Sequence, residues 1–342
     1  MSLLKVEDLS VDFIISDKPT RAVDKVSFEV GAGEIVGLVG ESGCGKSTIG
    51  RALLRLLPNN ALVPEGRVMF RDEDITKLSN RQFRKVRWKH LAAIFQDTMN
   101  VLDPVYKVGD ALTEALRQHE KISRPAAWAR ARDLLDMVGI DPDRVRSYPH
   151  ELSGGMKQRI CTAMAMSLEP DLIIADEPTT ALDVIVQDGI LRQILAKQRE
   201  KGRSMILISH DMGIIGEMCD RVIVMYAGRI VEVGGVRDVF HNAGHPYTLG
   251  LKAAIPHLLS KDELISIPGS PPALTARTEG CDFAPRCPFA QEVCLTKPPW
   301  VELDPGHHEL CHFPEKAAEF REQISSQDIW RSVQERLIES LS

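Results

Sequence analysis

Short apolar runs, separated by polar and glycine-rich segments, recur along the chain. Glu34–Val39 and Asp171–Ala175 are continuous apolar stretches of strand length, which is typical of strands buried on both faces. Leu91–Phe95 and Ser204–Ser209 have the same character, as do residues 221–225. Because helical patterns lie between the later runs, the sequence predicts a parallel α/β sheet.

Other segments show the pattern of antiparallel strands. Lys5–Val11 and Lys25–Val30 alternate apolar and polar residues, which predicts an antiparallel layer with one face on the core. Val222–Tyr226 and Arg229–Val233 are separated only by Ala227-Gly228. A two-residue connection that ends in glycine predicts a β-hairpin.

The pattern turns helical between Asp97 and Ser167. We expect helices at Val108–Gln118, Arg124–Val138 and Met156–Leu168. Near the end of the chain, Lys316–Leu341 carries apolar residues at mostly helical spacing and predicts one amphipathic helix.

Composition narrows the class of protein. The chain has 342 residues, of which 44% are hydrophobic and 26% charged, so a folded globular protein is expected. It has no apolar run of membrane-spanning length and no secretory signal pattern at the N-terminus, so we expect it to stay in the cytoplasm. The net charge of −6 gives no general attraction to nucleic acid, and a nucleic-acid partner is not expected.

A phosphate-binding loop follows the first apolar run. The segment reads G-x4-G-K-S between the strand Glu34–Val39 and the helical stretch Thr48–Leu57, the setting that a P-loop requires. Its glycines let backbone N–H groups approach phosphates, Lys46 adds a positive charge, and the Ser47 hydroxyl is suited to Mg²⁺. The residues predicted to contact ATP are Gly40, Glu41, Ser42, Gly43, Cys44, Gly45, Lys46, Ser47 and Thr48.

A pair of acidic residues ends the second apolar run. Asp176 at the tip of the strand is predicted to hold the magnesium shell, and Glu177 to act as the base that polarises the attacking water. Together with the P-loop, this pair predicts a nucleoside-triphosphate hydrolase.

Between these motifs lies a second candidate phosphate site, Leu152-Ser153-Gly154-Gly155, followed by a helix that contains Gln158. The segment resembles the signature of ATP-binding cassette (ABC) proteins. Ser153 and the glycine amides open a helix whose N-terminus suits an anion held by another subunit. The resemblance therefore implies a dimer in which these residues contact the partner's ATP.

The resemblance extends to residues outside the two motifs. It implies that Phe13 stacks on adenine, that Gln96 contacts Mg²⁺ and the attacking water, and that Asp183 lies in a loop at the dimer interface. His210 resembles the switch histidine that contacts the γ-phosphate. Together with Glu177, Gln96 and His210 form the expected catalytic set, and Ser47, Gln96 and Asp176 the expected Mg²⁺ ligands.

The tail resembles that of the oligopeptide, dipeptide and nickel importer ATPases. His245–Leu251 and Ile267–Pro272 carry this resemblance, which covers about residues 3 to 315. The segment 96–104 resembles the importer version of the glutamine loop, although Thr98 and Asp103 depart from its usual pattern. The transported solute stays open among peptides, nickel, sugars and opines.

The resemblance implies an α/β fold with a P-loop (RecA-like) core, an antiparallel β layer, a helical subdomain and a small cysteine-rich C-terminal extension. The expected bounds are 1–96 and 168–240 for the core with its β layer, 97–167 for the helical subdomain and 241–342 for the extension. The implied partners are a second ABC ATPase subunit, in a heterodimer, two transmembrane permease subunits and an extracytoplasmic solute-binding protein. The implied location is the cytoplasmic face of the inner membrane.

Four cysteines crowd into the extension, at Cys281, Cys287, Cys294 and Cys311. In a reducing compartment, clustered thiols more often ligate metal than form disulfides. The gaps of five and six residues between the first three exceed those of zinc knuckles and favour a larger group. We expect a [4Fe–4S] cluster, which some relatives carry on similarly spaced cysteines. Zn²⁺ is the alternative because His307, His308 and His312 lie near Cys311, and free thiols or another arrangement stay open as well.

Two classes of function fit these motifs. The first is the ATP-hydrolysing motor of a binding-protein-dependent importer for peptides or a related solute. The alternative is a soluble cassette ATPase that acts on nucleic acid or ribosomes. The single cassette, the acidic balance and the importer-type tail favour the first.

Overall fold

The computed structural model describes residues 2–95, 101–178, 184–254, 266–273 and 279–339. The strands are β1 (Ser2–Ile15), β2 (Lys18–Gly31), β3 (Ile35–Val39), β4 (Ala61–Phe70), β5 (Glu73–Asp74), β6 (Leu91–Ile94), β7 (Leu172–Asp176), β8 (Ser204–Ile208), β9 (Arg221–Tyr226), β10 (Arg229–Gly235), β11 (Trp300–Asp304) and β12 (His307–Leu310). The helices are α1 (Lys46–Leu53), α2 (Asn80–Val86), α3 (Val108–His119), α4 (Arg124–Met137), α5 (Gly154–Met166), α6 (Val184–Glu200), α7 (Met212–Met218), α8 (Val236–Asn242), α9 (Pro246–Ala253), α10 (Ala317–Gln323) and α11 (Gln327–Glu339).

The chain forms two compact units, which we describe one at a time. Unit 1 comprises residues 1–4, 30–34 and 69–208, and unit 2 comprises residues 5–29, 35–68 and 209–342. The domain bounds expected from the sequence rest on the family pattern, and they stay a prediction.

Unit 1 contains a parallel sheet with β7 at its centre. Leu91 of β6 is in register with Leu172 of β7, which in turn is in register with Ser204 of β8. Every residue of β7 and β8 is buried, as the continuous apolar runs predict. The carboxyl end of β7 therefore carries Asp176 and Glu177 at the edge of this sheet.

A helical cluster forms the second core of unit 1. Helices α3, α4 and α5 agree with the predicted segments to within two residues at each end. Ser123 caps α4 and Ser153 caps α5, each by accepting a backbone N–H three residues further on. The helices bury one another's apolar faces; the side chains that are at most 1% exposed include Val108, Leu112, Leu116, Leu135, Val145 and Ile160.

Unit 2 contains a sheet in the order β11-β12-β10-β9-β3. Strand β9 runs parallel to β3, and β10 returns antiparallel to β9. The predicted hairpin is confirmed, with Ala227 at φ 46° and Gly228 at φ 80°, the left-handed conformations that a type I′ turn requires. Strands β1, β2 and β4 form the antiparallel layer, in the order β2-β1-β4.

The C-terminal region, residues 241–342, extends this sheet. Strand β12 pairs with β10, with Glu309 opposite Glu232 and His308 opposite Val233, and β11 pairs with β12. The sequence did not predict these two strands, because they are short and carry charged residues on both faces.

The single terminal helix expected at residues 316–341 is wrong. The chain breaks between α10 and α11, where Ser326 donates its N–H to the Gln323 carbonyl at 2.9 Å. The indole N–H of Trp330 donates to the Ile324 carbonyl at 2.9 Å. The break lets the side chains of Ile324 and Trp330 both be buried. Residues 324–326, two of which are serines, therefore do not continue the helix.

Helix α1 also differs from its expected span Thr48–Leu57. It begins at Lys46, so the lysine of the loop is already helical, and it ends at Leu53 because Arg55 takes a left-handed conformation at φ 53°. Within the described residues, no helix combines the length and apolar character needed to cross a bilayer.

Candidate functional site

The phosphate-binding loop lies in unit 2 between β3 and α1. Gly40, Gly43 and Gly45 have φ values of 148°, 81° and 105°, which favour glycine. A Cβ at Gly40 would collide with the carbonyl oxygen of Met225, so the loop could not pack this closely with any other residue there. The glycines predicted for the loop are therefore required by its conformation.

Lys46 lies inside the curve of this loop and is only 6% exposed. Its ammonium group donates to the carbonyl oxygens of Gly40 at 2.7 Å and Glu41 at 2.9 Å. These bonds hold the ammonium group within the loop that is predicted to bind phosphates. Ser47 and Thr48 follow on the first turn of α1 and are half-buried, while Ser42 is exposed.

Cys44 is a buried residue of the loop, with 2% of its surface exposed. Burial raises the pKa of its thiol, and the neighbouring Lys46 only partly offsets this effect. The carbonyl of Cys44 accepts the N–H of Gly228 from the hairpin turn at 2.9 Å. Cys44 therefore anchors the loop, and its neutral thiol is a poor nucleophile.

Unit 2 also holds two of the residues implied by the family resemblance. Phe13 lies half-buried on β1. The N–H of Ser209 donates to the carbonyl of Leu38 in β3 at 3.2 Å, and His210 follows as an exposed side chain. The histidine is thus attached beside the strand that leads into the phosphate-binding loop.

The acidic pair lies in unit 1 at the end of β7. Asp176 is buried, and the N–H of Glu177 donates to the carbonyl of Ile208 at 3.0 Å. Glu177 has a left-handed backbone with φ 43°, which costs a residue with a side chain about 1 kcal/mol. Strain of this kind at a chemically competent carboxylate is typical of functional sites.

The signature segment opens α5, also in unit 1. Ser153 is exposed, and its hydroxyl oxygen accepts the N–H of Met156 at 3.3 Å. Leu152 is buried, and the amides of Gly154 and Gly155 form the first turn of the helix. The arrangement leaves the helix N-terminus open to an anion from outside.

Gln158 joins the signature helix to the acidic pair. Its side-chain amide is almost fully buried and donates to the carbonyl of Pro178, the residue after Glu177. A displacement of α5 would therefore also displace the backbone next to Glu177, the predicted base. The signature motif suggested contact with the partner's nucleotide and gave no sign of this internal bond.

Two predicted site residues, Gln96 and Asp183, lie outside the described residues, as does Thr98. Asp103 is described, and its carboxylate accepts the N–H of Val105 at 3.1 Å in a local turn. Asp103 departs from the usual importer pattern, but its side chain still forms a turn.

Of the four C-terminal cysteines in unit 2, Cys287, Cys294 and Cys311 are buried and Cys281 is half-buried. The N–H of Cys281 donates to the carbonyl of Cys294 at 2.9 Å. Burial raises the pKa of Cys281 to about 11 and that of Cys311 to about 12, and it raises the pKa of Cys287 as well. Smaller contributions to the raised pKa of Cys281, Cys287 and Cys311 come from the neighbouring cysteines, so the four side chains lie within electrostatic range of one another.

These cysteines do not form a site for a single metal ion. Across the described ranges, no three or more His, Cys, Asp or Glu side chains are arranged to hold one. Neither the expected cluster nor the alternative zinc ion is supported by this geometry. His307, kept as a reason for zinc, instead bonds Glu232 at 2.8 Å in the interior of unit 2.

Sequence reasoning missed two buried groups that lie around this region. Arg286 pairs with Glu41 of the phosphate-binding loop, and Tyr247 bonds the same residue. Glu309 is 0% exposed, and burial beside Glu232 raises its pKa to about 8. The only sequence signal for either buried group is a charged residue in a segment that has many loops and few apolar residues. This signal is weak.

Two family models match this chain. One, described as ABC transporter, matches residues 23–180, and the other, described as oligopeptide/dipeptide transporter C-terminal region, matches residues 231–294. The first covers the phosphate-binding loop, the signature and the acidic pair. The second includes the first three of the clustered cysteines.

Curated relatives match over nearly the whole chain. The probable peptide ABC transporter ATP-binding protein y4tR of Sinorhizobium fredii is 47% identical over 315 residues, 90% of this chain and 94% of its own length. The dipeptide transport ATP-binding protein DppD of Bacillus subtilis is 44% identical over 322 residues, 93% of this chain and 96% of its own. The oligopeptide transport ATP-binding protein OppD of Salmonella typhimurium is 43% identical over 315 residues, 91% and 94%.

Solved structures show the same fold. The dimeric structure of MJ0796, described as a bacterial ABC transporter cassette, has a TM-score of 0.63 at 24% identity and covers 68% of this chain and 99% of its own. The cbiO1 protein of Clostridium perfringens, described as part of the ABC transporter complex cbiONQ, has a TM-score of 0.60 at 29% identity, with coverage of 70% and 90%. The P-loop α/β cassette expected from the sequence is thereby confirmed.

Proposed function

Because the chain belongs to the ATP-binding subunits of the oligopeptide/dipeptide ABC transporter family, we propose that it is the motor of a peptide importer, coupling ATP hydrolysis to uptake. Members of this family hydrolyse ATP with the cassette that this chain contains. The observation that carries the proposal is the combination of an intact lysine loop with an exposed, capped signature helix in one chain. The alternative, action on nucleic acid or ribosomes, receives no support from any relative.

In the proposed reaction, the loop around Lys46 holds the phosphates, and Glu177 accepts a proton from the water that attacks the γ-phosphorus. His210 orients the γ-phosphate, and Phe13 stacks on the base. Breaking the bond to the β-phosphate oxygen releases phosphate and ADP. Ser47, Gln96 and Asp176 carry the oxygen donors that Mg²⁺ prefers, and the ion would offset the phosphate charge.

Dimer closure completes the proposed site. Ser153 and the glycine amides at the start of α5 contact the γ-phosphate bound by a second cassette subunit, and Asp183 lies at the same interface. The exposure of this helix N-terminus supports the assignment, because it offers N–H donors that α5 itself does not use. We infer that the partner is a different subunit in a heterodimer, as part of an assembly with two permeases and a solute-binding protein at the cytoplasmic face of the membrane.

Substitution of the proposed base tests this function. Glu177→Gln in the assembled complex is expected to slow hydrolysis by at least about 100-fold, because general-base catalysis contributes that much, while ATP binding stays intact. Turnover and nucleotide affinity are measured on the same preparation. An unchanged turnover rate would show that Glu177 is not the general base. Copurification with RNA in place of membrane subunits would overturn the transport function.

We further propose that Cys281, Cys287, Cys294 and Cys311 hold a [4Fe–4S] cluster. The sequence supports this proposal, because four cysteines crowd into residues 281–311 and the gaps between the first three exceed those of zinc knuckles. When bound, it would supply a rigid centre to a loop-rich segment, with no part in hydrolysis. Iron and sulfide assays with visible absorption on anaerobically purified protein are expected to give four irons per chain. One zinc and no iron would contradict the proposal.

A further inference from the structure

The C-terminal region reaches the phosphate-binding loop through one buried arginine. Arg286, 3% exposed, lies directly before Cys287 in the chain. Its guanidinium donates Nη1–H to Glu41 Oε2 at 2.6 Å and Nη2–H to Glu41 Oε1 at 2.9 Å. This is the bidentate geometry that gives an arginine–carboxylate pair both strength and a fixed orientation.

The remaining donors of Arg286 are also used. They bond the carbonyl oxygens of Pro268 at 2.8 Å and Gly269 at 3.3 Å, and the hydroxyl of Tyr226 at 3.2 Å. Because its contacts come from three separate parts of unit 2, the guanidinium has one orientation. The position of the Glu41 side chain is therefore set by the C-terminal region.

The backbone of Glu41 is fixed as well. Its N–H donates to the hydroxyl of Tyr247 at 2.8 Å, and Tyr247 is fully buried in α9. The ring of Tyr247 packs against those of Tyr226 and Phe283, with centroids 4.7 Å and 5.3 Å away. Three aromatic rings thus form a rigid support behind the loop.

The charge of Glu41 makes this support relevant to nucleotide affinity. Glu41 is the second residue of a loop that binds a polyanion, and its unpaired carboxylate would repel the phosphates. The pairing with Arg286 offsets that charge, and its two hydrogen bonds engage both carboxylate oxygens. The loop conformation and its electrostatics then depend on Arg286, which lies 245 positions further along the chain than Glu41.

We propose that Arg286 and Tyr247 are positioning residues for ATP binding, which hold Glu41 neutralised and fixed so that the phosphate-binding loop accepts a nucleoside triphosphate. The proposal rests on the ATPase function proposed above. It makes nucleotide affinity depend on the integrity of the C-terminal region, which contributes no group to the reaction itself.

The test measures the affinity of the full-length chain for a fluorescent ATP analogue with Mg²⁺. Arg286→Gln is expected to raise the dissociation constant at least tenfold and Tyr247→Phe three- to tenfold. The double variant Glu41→Gln with Arg286→Gln is expected to recover to within threefold of the parent, because it removes the exposed carboxylate together with its partner. In the assembled complex, Arg286→Gln raises KM for ATP and leaves kcat within twofold.

Two controls accompany these variants. Arg229→Gln removes another partly buried arginine, whose ion pairs are with Asp24 at 2.8 Å and Asp282 at 3.6 Å, neither of them a residue of the loop, and it should leave affinity unchanged. Lys46→Ala should abolish binding. If Lys46→Ala binds normally, the proposed function itself fails; if it does not bind while Arg286→Gln matches Arg229→Gln, only the present inference is overturned.

A weakened Arg286→Gln variant without recovery in the double variant would also overturn the proposal. Arg286 would then act only by holding residues 267–269 in place. Should Arg286→Gln fail to fold, Arg286→Lys gives the same decision: it keeps a charge for Glu41 but loses the fork, and it is expected to bind about threefold more weakly. Parental affinity in both Arg286→Lys and Tyr247→Phe would contradict the inference.

Discussion

At the scale of single residues, Glu177 combines a chemical role with a strained backbone. Its φ of 43° lies in the region that favours glycine, and its N–H is held by the carbonyl of Ile208. The end of the β7–β8 pair therefore holds Glu177 in a backbone conformation that a residue with a side chain rarely adopts. We infer that the strain is retained because it orients the base.

This inference gives a test in which stability and activity move in opposite directions. Glu177→Gly should raise the free energy of unfolding by up to about 1 kcal/mol, because glycine adopts the left-handed conformation without steric cost, and should abolish hydrolysis. Glu177→Gln, which keeps the strain, should lose hydrolysis without the gain. Thermal unfolding of both variants beside the parent checks this, and equal midpoints for the two would argue against stored strain.

Glu309 is a second residue of interest, because its environment destabilises the ionised carboxylate. It is fully buried, and neither carboxylate oxygen has a hydrogen-bond partner among the described residues. Its pKa is raised from 4.5 to about 8, chiefly by burial; the charge of Glu232 adds to the rise, Arg321 opposes it, and Glu315 adds a smaller rise. Glu309 is therefore protonated in the folded chain at neutral pH and ionised in the unfolded chain.

The pH dependence of stability follows from this difference. As pH rises from about 4.5 to about 8, the unfolded chain gives up a proton that the folded chain keeps, so the free energy of unfolding falls through this window. Glu309→Gln removes the titration and should flatten the decline, with a gain of about 2 to 4 kcal/mol above pH 8. Denaturant unfolding between pH 5 and 9 measures it. Glu302→Gln on the exposed side of the same hairpin is the control, and parallel slopes for Glu309→Gln and the parent would contradict the assignment.

At the scale of elements, the start of α5 has two separable roles. The Ser153 hydroxyl caps the helix, and the same end of the helix is proposed to contact the partner's phosphate. Helix α4 begins in the same way with Ser123, whose hydroxyl accepts the N–H of Ala126, but no phosphate role is proposed there. The pair of caps offers a matched comparison within unit 1.

Substitutions at the two caps separate the roles. Ser153→Ala and Ser123→Ala should each lose about 1 kcal/mol of stability, because both remove a cap, but only the first should lose activity. Ser153→Asp keeps the cap and adds a negative charge, so it should remain as stable as the parent while hydrolysis in the assembled complex falls. Unfolding and turnover are measured for all three variants. Full activity in Ser153→Asp would rule out phosphate contact at this position.

Elements also differ in how well the sequence predicts them. The loop glycines and the turn Ala227-Gly228 are predictable because each conformation is fixed by residues adjacent in the chain. Pairing of β12 with β10 and of Arg286 with Glu41 depends on contacts between distant segments, for which a local pattern carries no signal. The broken terminal helix follows the same rule, because burial of Trp330 and Ile324 overrides a continuous helical pattern.

At the scale of the whole molecule, the proposed function assigns different parts of the chain to two composite ATP sites. Its lysine loop in unit 2 is proposed to serve the nucleotide that the chain binds itself, and its signature helix in unit 1 the nucleotide of the partner subunit. Substitutions in the two segments should therefore damage different sites of one assembled complex. No residue-scale measurement on the isolated chain can separate these two contributions.

Photolabelling with an azido-ATP in the assembled complex tests this division of labour. Lys46→Ala should abolish labelling of this chain, because its own loop no longer holds the triphosphate. Ser153→Asp should leave labelling of this chain within about twofold, since its loop is intact, but should reduce nucleotide trapping on the partner subunit by tenfold or more, since the introduced charge faces the partner's γ-phosphate. Ser123→Ala, at the cap without a phosphate role, should change neither signal. If Ser153→Asp reduced labelling of this chain and of the partner equally, the composite site would be contradicted, because Ser153 is proposed to contact only the partner's nucleotide.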